Sequence, residues 1–206
     1  MMERIQLSSL LNEQHPYPLL RSLVTRIENN AVVIYPTETI YGIGGRADSI
    51  SVKQKIIAAK IRPPDNPMIL IAGALEHFAG FDLYFAPAAL ALAQKFWPGN
   101  LTMVLPYNAA PGTLGIRVSD HPFIELLYRK LTIPVFSTSA NISGAEYRND
   151  PDNIYSTFKN TADIMIDAGV LPASLPSTIV SISKNNEVKI LREGTLSTKD
   201  VLEYPA

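Results

Sequence analysis

The strongest constraint on this chain is a recurring pattern of short, mostly apolar runs set between segments of helical period. AVVIY (31–35), MILI (68–71), LTMVL (101–105), GIRV (115–118), PVFS (134–137) and IMID (164–167) are too short for helices. AVVIY, apolar throughout, reads as a buried strand, where alternation with polar residues is lost, and the others read as strands beside it. Between them, Leu20, Leu23, Val24 and Ile27 recur at helical spacing until Asn29-Asn30. Ser49 or Ser51 can cap a helix carrying Val52, Ile56 and Ile57, which Pro63-Pro64 must end. Pro87 opens an Ala/Leu-rich helix that closes near Trp97-Pro98-Gly99. Asp120 is placed to cap a helix with Pro122 in its first turn and Ile124, Leu127 and Leu131 on one face. Asn149 or Asp150 before Pro151 starts another. STIVSIS (177–183) and VKILR (188–192) flank Lys184–Glu187 as a hairpin. Interleaved strands and helices of this kind give an α/β or α+β fold around a mixed sheet.

A length of 206 residues fits one domain, and no repeat, low-complexity tract or linker divides it. The 16 prolines sit mainly at element ends, as breakers. With 18 Lys+Arg against 19 Asp+Glu, the net charge is −1, which argues against a protein whose main work is coating a polyanion. The absence of cysteine removes disulfides, thiolate nucleophiles and Cys-ligated metal sites together. His15, His77 and His121 are too scattered for a His-rich metal motif. No run of about 18 apolar residues could span a membrane, and the first residues lack the apolar region of a signal peptide. A cytoplasmic protein is expected.

Three clusters can carry chemistry. Pro36–Gly42 follows the first apolar run directly and holds Thr37, Glu38, Thr39 and Tyr41, polar groups where α/β proteins bind ligands. The alternative is a turn whose threonines satisfy their own backbone. Gly42-Ile43-Gly44-Gly45-Arg46-Ala47 formally matches a dinucleotide fingerprint, but PTETIY separates it from the strand. The acidic residue at nearly the right distance, Asp65, lies in a proline loop. The glycines are better read as tight turns and close backbone approach. Lys60-Ile61-Arg62 precedes a loop stiffened by three prolines, so two cations can clamp a polyphosphate at little ordering cost. The alternative is two cations that simply favour a helix C-terminus. Ser137–Gly144 brings four hydroxyls and an amide directly after a strand. The histidine nearest to it in sequence is His121, and no G-x-S-x-G elbow is present, so these are hydrogen-bond donors rather than nucleophiles. Arg117, Ser177 and Arg192 lie at further strand ends or edges, where solvation is the plain alternative. Phe96 and Trp97 close an apolar helix and read as core rather than as a base-stacking platform.

Taken in order, VIYPTETIYGIG (33–44), AKIRPPDNPM (59–68), WPGNLTMVL (97–105), GIRVSDHP (115–122), STSANISG (137–144), STIV (177–180) and ILREG (190–194) resemble the YrdC-like family, in its threonylcarbamoyl-adenylate-forming branch. The resemblance runs from about residue 19 to 195 and includes the family's K-x-R and S-x-N, here Lys60/Arg62 and Ser139/Asn141. It implies an open, twisted mixed sheet around a large concave cavity. The implied reaction joins L-threonine, bicarbonate and ATP into threonylcarbamoyl-adenylate and pyrophosphate, for threonylcarbamoyladenosine in tRNA. By position, Lys60, Arg62, Asn66, Ser139, Asn141 and Arg192 match ATP contacts, and Thr39, Arg117, Ser137 and Ser177 match threonine contacts. Lys60 and Arg62 carry the catalytic role, and Mg2+ is held by ATP oxygens and water rather than by a protein cage. The implied partners are proteins that pass the adenylate to tRNA, with a possible RNA contact.

Two departures stand out. Many relatives have histidine where this chain has Ile71, and Ala145–Asp150 replaces a small, proline-rich segment. The competing functions are an RNA-binding module of the same fold and a paralogue without synthase activity. Because cations at a helix end belong to the surface, alanine at Lys60 or Arg62 is expected to abolish turnover and spare the fold.

Overall fold

The computed structural model describes residues 1–12, 16–64 and 66–203; His15 and Asp65 lie outside them. Among the described residues the strands are β1 (Glu3–Gln6), β2 (Val33–Tyr35), β3 (Gly42–Arg46), β4 (Ile69–Ala72), β5 (Leu101–Pro106), β6 (Thr113–Val118), β7 (Val135–Ser139), β8 (Ile164–Asp167), β9 (Thr178–Ile182) and β10 (Val188–Arg192). The helices are α1 (Leu7–Leu11), α2 (Pro16–Glu28), α3 (Ile50–Lys60), α4 (Pro87–Phe96), α5 (Pro122–Leu127), α6 (Pro151–Phe158) and α7 (Thr198–Leu202), with a 3-10 segment at Leu75–Phe81. The strands form a single open sheet in the order β1-β8-β2-β3-β7-β4-β6-β5-β9-β10. It is mixed: β1, β8 and β2 run parallel, β3 is antiparallel to both β2 and β7, and β9–β10 is the expected antiparallel hairpin.

Alternation along β2 shows why its sequence is apolar throughout. Val33 and Tyr35 pack with Leu20, Leu23 and Ile27 of α2 and Phe123 and Ile124 of α5. Ile34 packs instead with Val52 and Ile56 of α3 and Ile154 and Phe158 of α6. Successive side chains on a strand point to opposite faces, so helices cover both. A third cluster lies beneath α4, where Ala89 and Leu92 meet Met103 and Ile116. Phe96 and Trp97 pack against it as expected, and the Trp97 indole donates to Leu101 O at 2.6 Å.

Local signals set most boundaries. Ser49 is the α3 cap, its hydroxyl accepting from Val52 N at 3.3 Å. The helix ends at Lys60 because Ile61 turns left-handed (φ 51°), ahead of the prolines. Asp150 caps α6, accepting from Asp152 N at 2.9 Å.

Three expectations need correction. The cap of α5 is His121, whose Nδ1 accepts from Phe123 N at 3.1 Å, rather than Asp120. Burial holds the His121 imidazole neutral, its pKa lowered to about 4, which keeps that acceptor lone pair free. The glycine cluster at 42–45 is strand β3, not a series of turns. Its close-approach role stands: a Cβ on Gly44 would lie 1.7 Å from Phe136 O. Finally, β7 runs on to Ser139, so the serines read as loop start inside the sheet.

Candidate active site

On β7, Val135 belongs to the α2/α5 cluster, and Ser137 and Ser139 follow on the same face of the strand. There the sheet opens into a pocket of about 470 Å3, lined by residues from 37 to 192. Seven of the sequence-derived residues line it: Thr39, Arg62, Arg117, Ser137, Ser139, Ser177 and Arg192. Three more, Lys60, Asn66 and Asn141, lie outside its lining.

Arg117 is the buried anchor. It stands on β6, 4 % exposed, with Nε donating to Gly99 O at 2.9 Å and Nη2 to Asn100 Oδ1 at 2.8 Å. Nη1 donates to Thr39 Oγ1 at 3.3 Å. Its counter-charge is Glu38, whose Oε1 lies 2.6 Å from Nη2 but off the N–H direction, so this contact is an ion pair rather than a directed hydrogen bond. The other Glu38 oxygen accepts from Ser119 Oγ at 2.7 Å. A buried guanidinium thus keeps its charge because a carboxylate one residue from Thr39 balances it. Glu38 did not stand out in the sequence as the partner of Arg117 and Ser119, because both contacts span about 80 residues.

The Pro36–Gly42 segment divides its labour. Thr37 behaves as the turn alternative requires: Oγ1 accepts from Ile40 N at 3.2 Å and donates to Ile40 O at 2.7 Å. Thr39, whose hydroxyl lies 3.0 Å from that of Thr37, also accepts from Arg117, and both threonines line the pocket.

The K-x-R cations separate. Arg62 faces the pocket, donating to Thr138 Oγ1 at 3.2 Å and Pro67 O at 2.7 Å, while its Nε is buried with no partner. Lys60 is 1 % exposed, and its ammonium donates to Ser139 O, to Asn141 O at 2.6 Å and to Asn141 Oδ1 at 3.4 Å. Burial, then Arg62, pulls its pKa down to about 8, whereas the carbonyl acceptors favour the charged form. Ser143 N closes the clasp on Lys60 O at 2.9 Å. The surface placement expected of Lys60 is therefore wrong: the 139–143 loop folds over the helix end. Asn141 accepts from Ser139 Oγ at 2.6 Å within that loop, and Asn66 is exposed.

At the other wall, Ser177 Oγ is 2.8 Å from Thr102 Oγ1, and Arg192 Nη2 donates to Ser177 O at 2.8 Å. Ile71 is in β4 opposite Arg117 and joins the apolar α2/α5 cluster rather than the pocket lining. Tyr147 does line the pocket. Its hydroxyl accepts from Tyr41 N at 2.8 Å, and burial raises its pKa, so it stays protonated. The sequence offered no cue to Tyr147, whose contact lies 106 residues away. Among the described residues no group of three or more His, Asp or Glu side chains could hold a metal ion. No helix among them is long and apolar enough to cross a membrane.

Together these features define an α/β protein with a polar, guanidinium-rich pocket on one face of a mixed sheet. The chain belongs to the Sua5/YciO/YrdC family: the family model, described as "Telomere recombination", matches residues 25–194. It is 30% identical over 195 residues to a protein named threonylcarbamoyl-AMP synthase from Bacillus subtilis, covering 90% of this chain and 56% of that one. To a threonylcarbamoyl-AMP synthase of Psychromonas ingrahamii it is 31% identical over 176 residues, covering 79% and 92%. The crystal structure of P. abyssi Sua5 complexed with L-threonine superposes with a TM-score of 0.83 at 26% identity, over 99% of this chain and 61% of that one. The chain thus spans little more than half the length of the B. subtilis relative.

Proposed function

We propose that this protein is a threonylcarbamoyl-AMP synthase, making the adenylate from L-threonine, bicarbonate and ATP for tRNA modification in the cytoplasm. The observation that carries the reading is the convergence in one pocket of Thr39, Arg117, Ser137 and Ser177 with Arg62, Ser139 and Arg192. They come from segments spread over more than 150 residues, in a family with relatives bearing that name. Threonine lies against Thr39, Arg117, Ser137 and Ser177, as threonine is the ligand of the P. abyssi relative. ATP lies toward Arg62, Ser139 and Arg192, with Mg2+ entering as part of the substrate; guanidinium and hydroxyl donors suit phosphate oxygens. Lys60 and Asn141 support the loop that presents Ser139, and Asn66 belongs to the ATP end of the site.

The chemistry needs no covalent enzyme intermediate. Bicarbonate takes up a proton and loses water to give CO2, to which the threonine amine adds with release of a proton, giving a carbamate. A carbamate oxygen attacks the α-phosphorus, the bond to the bridging oxygen breaks, and pyrophosphate leaves. Charge grows on phosphoryl oxygens, so fixed cations and oriented donors do most of the catalysis. The adenylate then passes to the proteins that modify tRNA. The test is pyrophosphate release from ATP with threonine and bicarbonate omitted in turn. Release that needs both is expected. Release that needs neither, or none at all, would overturn the assignment, and salt-sensitive RNA binding without turnover would favour an RNA-binding module.

A further inference from the structure

The Ala145–Asp150 segment, where the chain leaves the family pattern, is built into the pocket wall. Tyr147 OH accepts from Tyr41 N at 2.8 Å and lies 3.2 Å from Asn149 Oδ1, to which it donates. Asn149 Nδ2 in turn donates to Leu171 O and to Pro172 O, the latter at 3.3 Å. Tyr41 grips the same stretch from below: its hydroxyl accepts from Ala168 N at 2.8 Å and donates to Gly169 O at 2.7 Å. The stretch 168–176 has no regular structure and leads straight into Ser177, with Ser174 and Pro176 in the pocket lining. Its far end is tied where Thr195 N donates to Pro176 O at 3.1 Å. Asn149 itself is held by the two residues after it, since Asp150 caps α6 and Pro151 opens it. A chain of hydrogen bonds therefore runs from a helix start, through one amide, to an otherwise irregular wall of the site.

We propose that Asn149 is a positioning residue for the threonine end of the pocket: with Tyr147 it fixes the 168–176 segment and so places Ser177. The assignment of threonine to that end rests on the synthase reading. Removing both amide donors leaves the middle of the segment tied only through its ends, at Ala168–Gly169 and Pro176, so threonine must order it on binding. Two neutral hydrogen bonds correspond to about a 5- to 150-fold loss of threonine affinity. ATP lies toward Arg62, Ser139 and Arg192, of which only Arg192 touches Ser177, so ATP binding changes less.

Wild type, Asn149→Ala, Asn149→Asp and Tyr147→Phe are compared in three measurements on the full chain: threonine binding by calorimetry, KM and kcat in pyrophosphate release, and amide hydrogen exchange over 168–176. Asn149→Asp keeps the acceptor for Tyr147 and loses the donors, so it should behave like Asn149→Ala. Both should weaken threonine binding, raise KM for threonine with kcat within about twofold, and speed exchange in 168–176. Tyr147→Phe keeps the ring and should show a smaller effect of the same kind. Faster exchange with unchanged threonine affinity would reduce Asn149 to a structural tie and overturn the proposal, as would unchanged exchange. A wild type that binds threonine yet releases no pyrophosphate would overturn the synthase reading alone, and the binding and exchange data would still decide Asn149. A wild type that binds no threonine would overturn both.

Discussion

Replacing Lys60 with methionine removes the ammonium and keeps most of the stem. The ammonium now satisfies Ser139 O, Asn141 O and Asn141 Oδ1 in a place that is 1 % exposed. A buried acceptor left without a partner costs about 1–3 kcal/mol; Asn141 O loses its donor, whereas Ser139 O keeps Asn141 N at 2.9 Å. Against this stands the relief of no longer desolvating a charge, so the net loss is about 2 kcal/mol. For a chain of this size each kcal/mol moves Tm by about 2–4 °C, which gives a fall of about 4–8 °C. Activity should fall as well, because the loop that presents Ser139 loses its clasp. Arg62→Ala is the informative contrast. Its guanidinium holds Thr138 Oγ1 and Pro67 O, so turnover should collapse while Tm stays within about 3 °C. Thermal melts by circular dichroism, run beside the pyrophosphate assay, separate the two. A Lys60→Met protein that melts within about 1 °C of wild type would refute the clasp and restore Lys60 to a plain surface cation.

Three further outcomes are expected from other parts of the structure. Glu38→Gln keeps an acceptor for Ser119 Oγ but leaves Arg117 buried without its counter-charge; a loss of roughly 3 kcal/mol is expected, read by denaturant unfolding, and an unchanged midpoint would remove Glu38 from the Arg117 account. Gly44→Ala drives a Cβ to within 1.7 Å of Phe136 O, whereas the same change at Gly80 meets nothing within 4 Å; soluble yield and Tm should collapse for the first and hold for the second. His121 holds its proton only below about 4 in the folded state, against an ordinary imidazole value of 6.5. Between those values the unfolded chain takes up a proton that the folded chain refuses, so stability is lost as pH falls from 6.5 to 4, by at most about 3 kcal/mol. His121→Asn retains a cap acceptor and should flatten that part of the pH–stability curve; an unchanged slope would sink the assignment.

The strands legible in the sequence were those whose burial on both faces writes itself as an apolar run, β2 and β8 above all. β3 was not, because the physics that makes it a strand is the absence of side chains: Gly44 and Gly45 let the Phe136 and Ala31 carbonyls press close, and a glycine run has no periodicity to read. The edge strand β1 (Glu3–Gln6) has only Ile5 buried and looks polar. Site residues showed the same split. Polar types directly after apolar runs were visible, and Thr39, Ser137 and Ser139 are in the pocket. What Lys60 does was not, since a lysine at a helix end becomes a buried clasp only through a loop about 80 residues on. Glu38 and Tyr147 were hidden for the same reason: their partners are fixed by the tertiary fold, not by local spacing.

The strand order also has a consequence for how the chain comes into being. β1 pairs only with β8, and β2 has β8 as its parallel neighbour. Some 130 residues separate Tyr35 from Asp167, and at about 5–20 residues per second a ribosome needs roughly 7–26 s to supply them. Through that interval β2 has β3 on one side and its other edge unpaired. Slowing or pausing translation before residue 164 should therefore cost yield more than a pause after it.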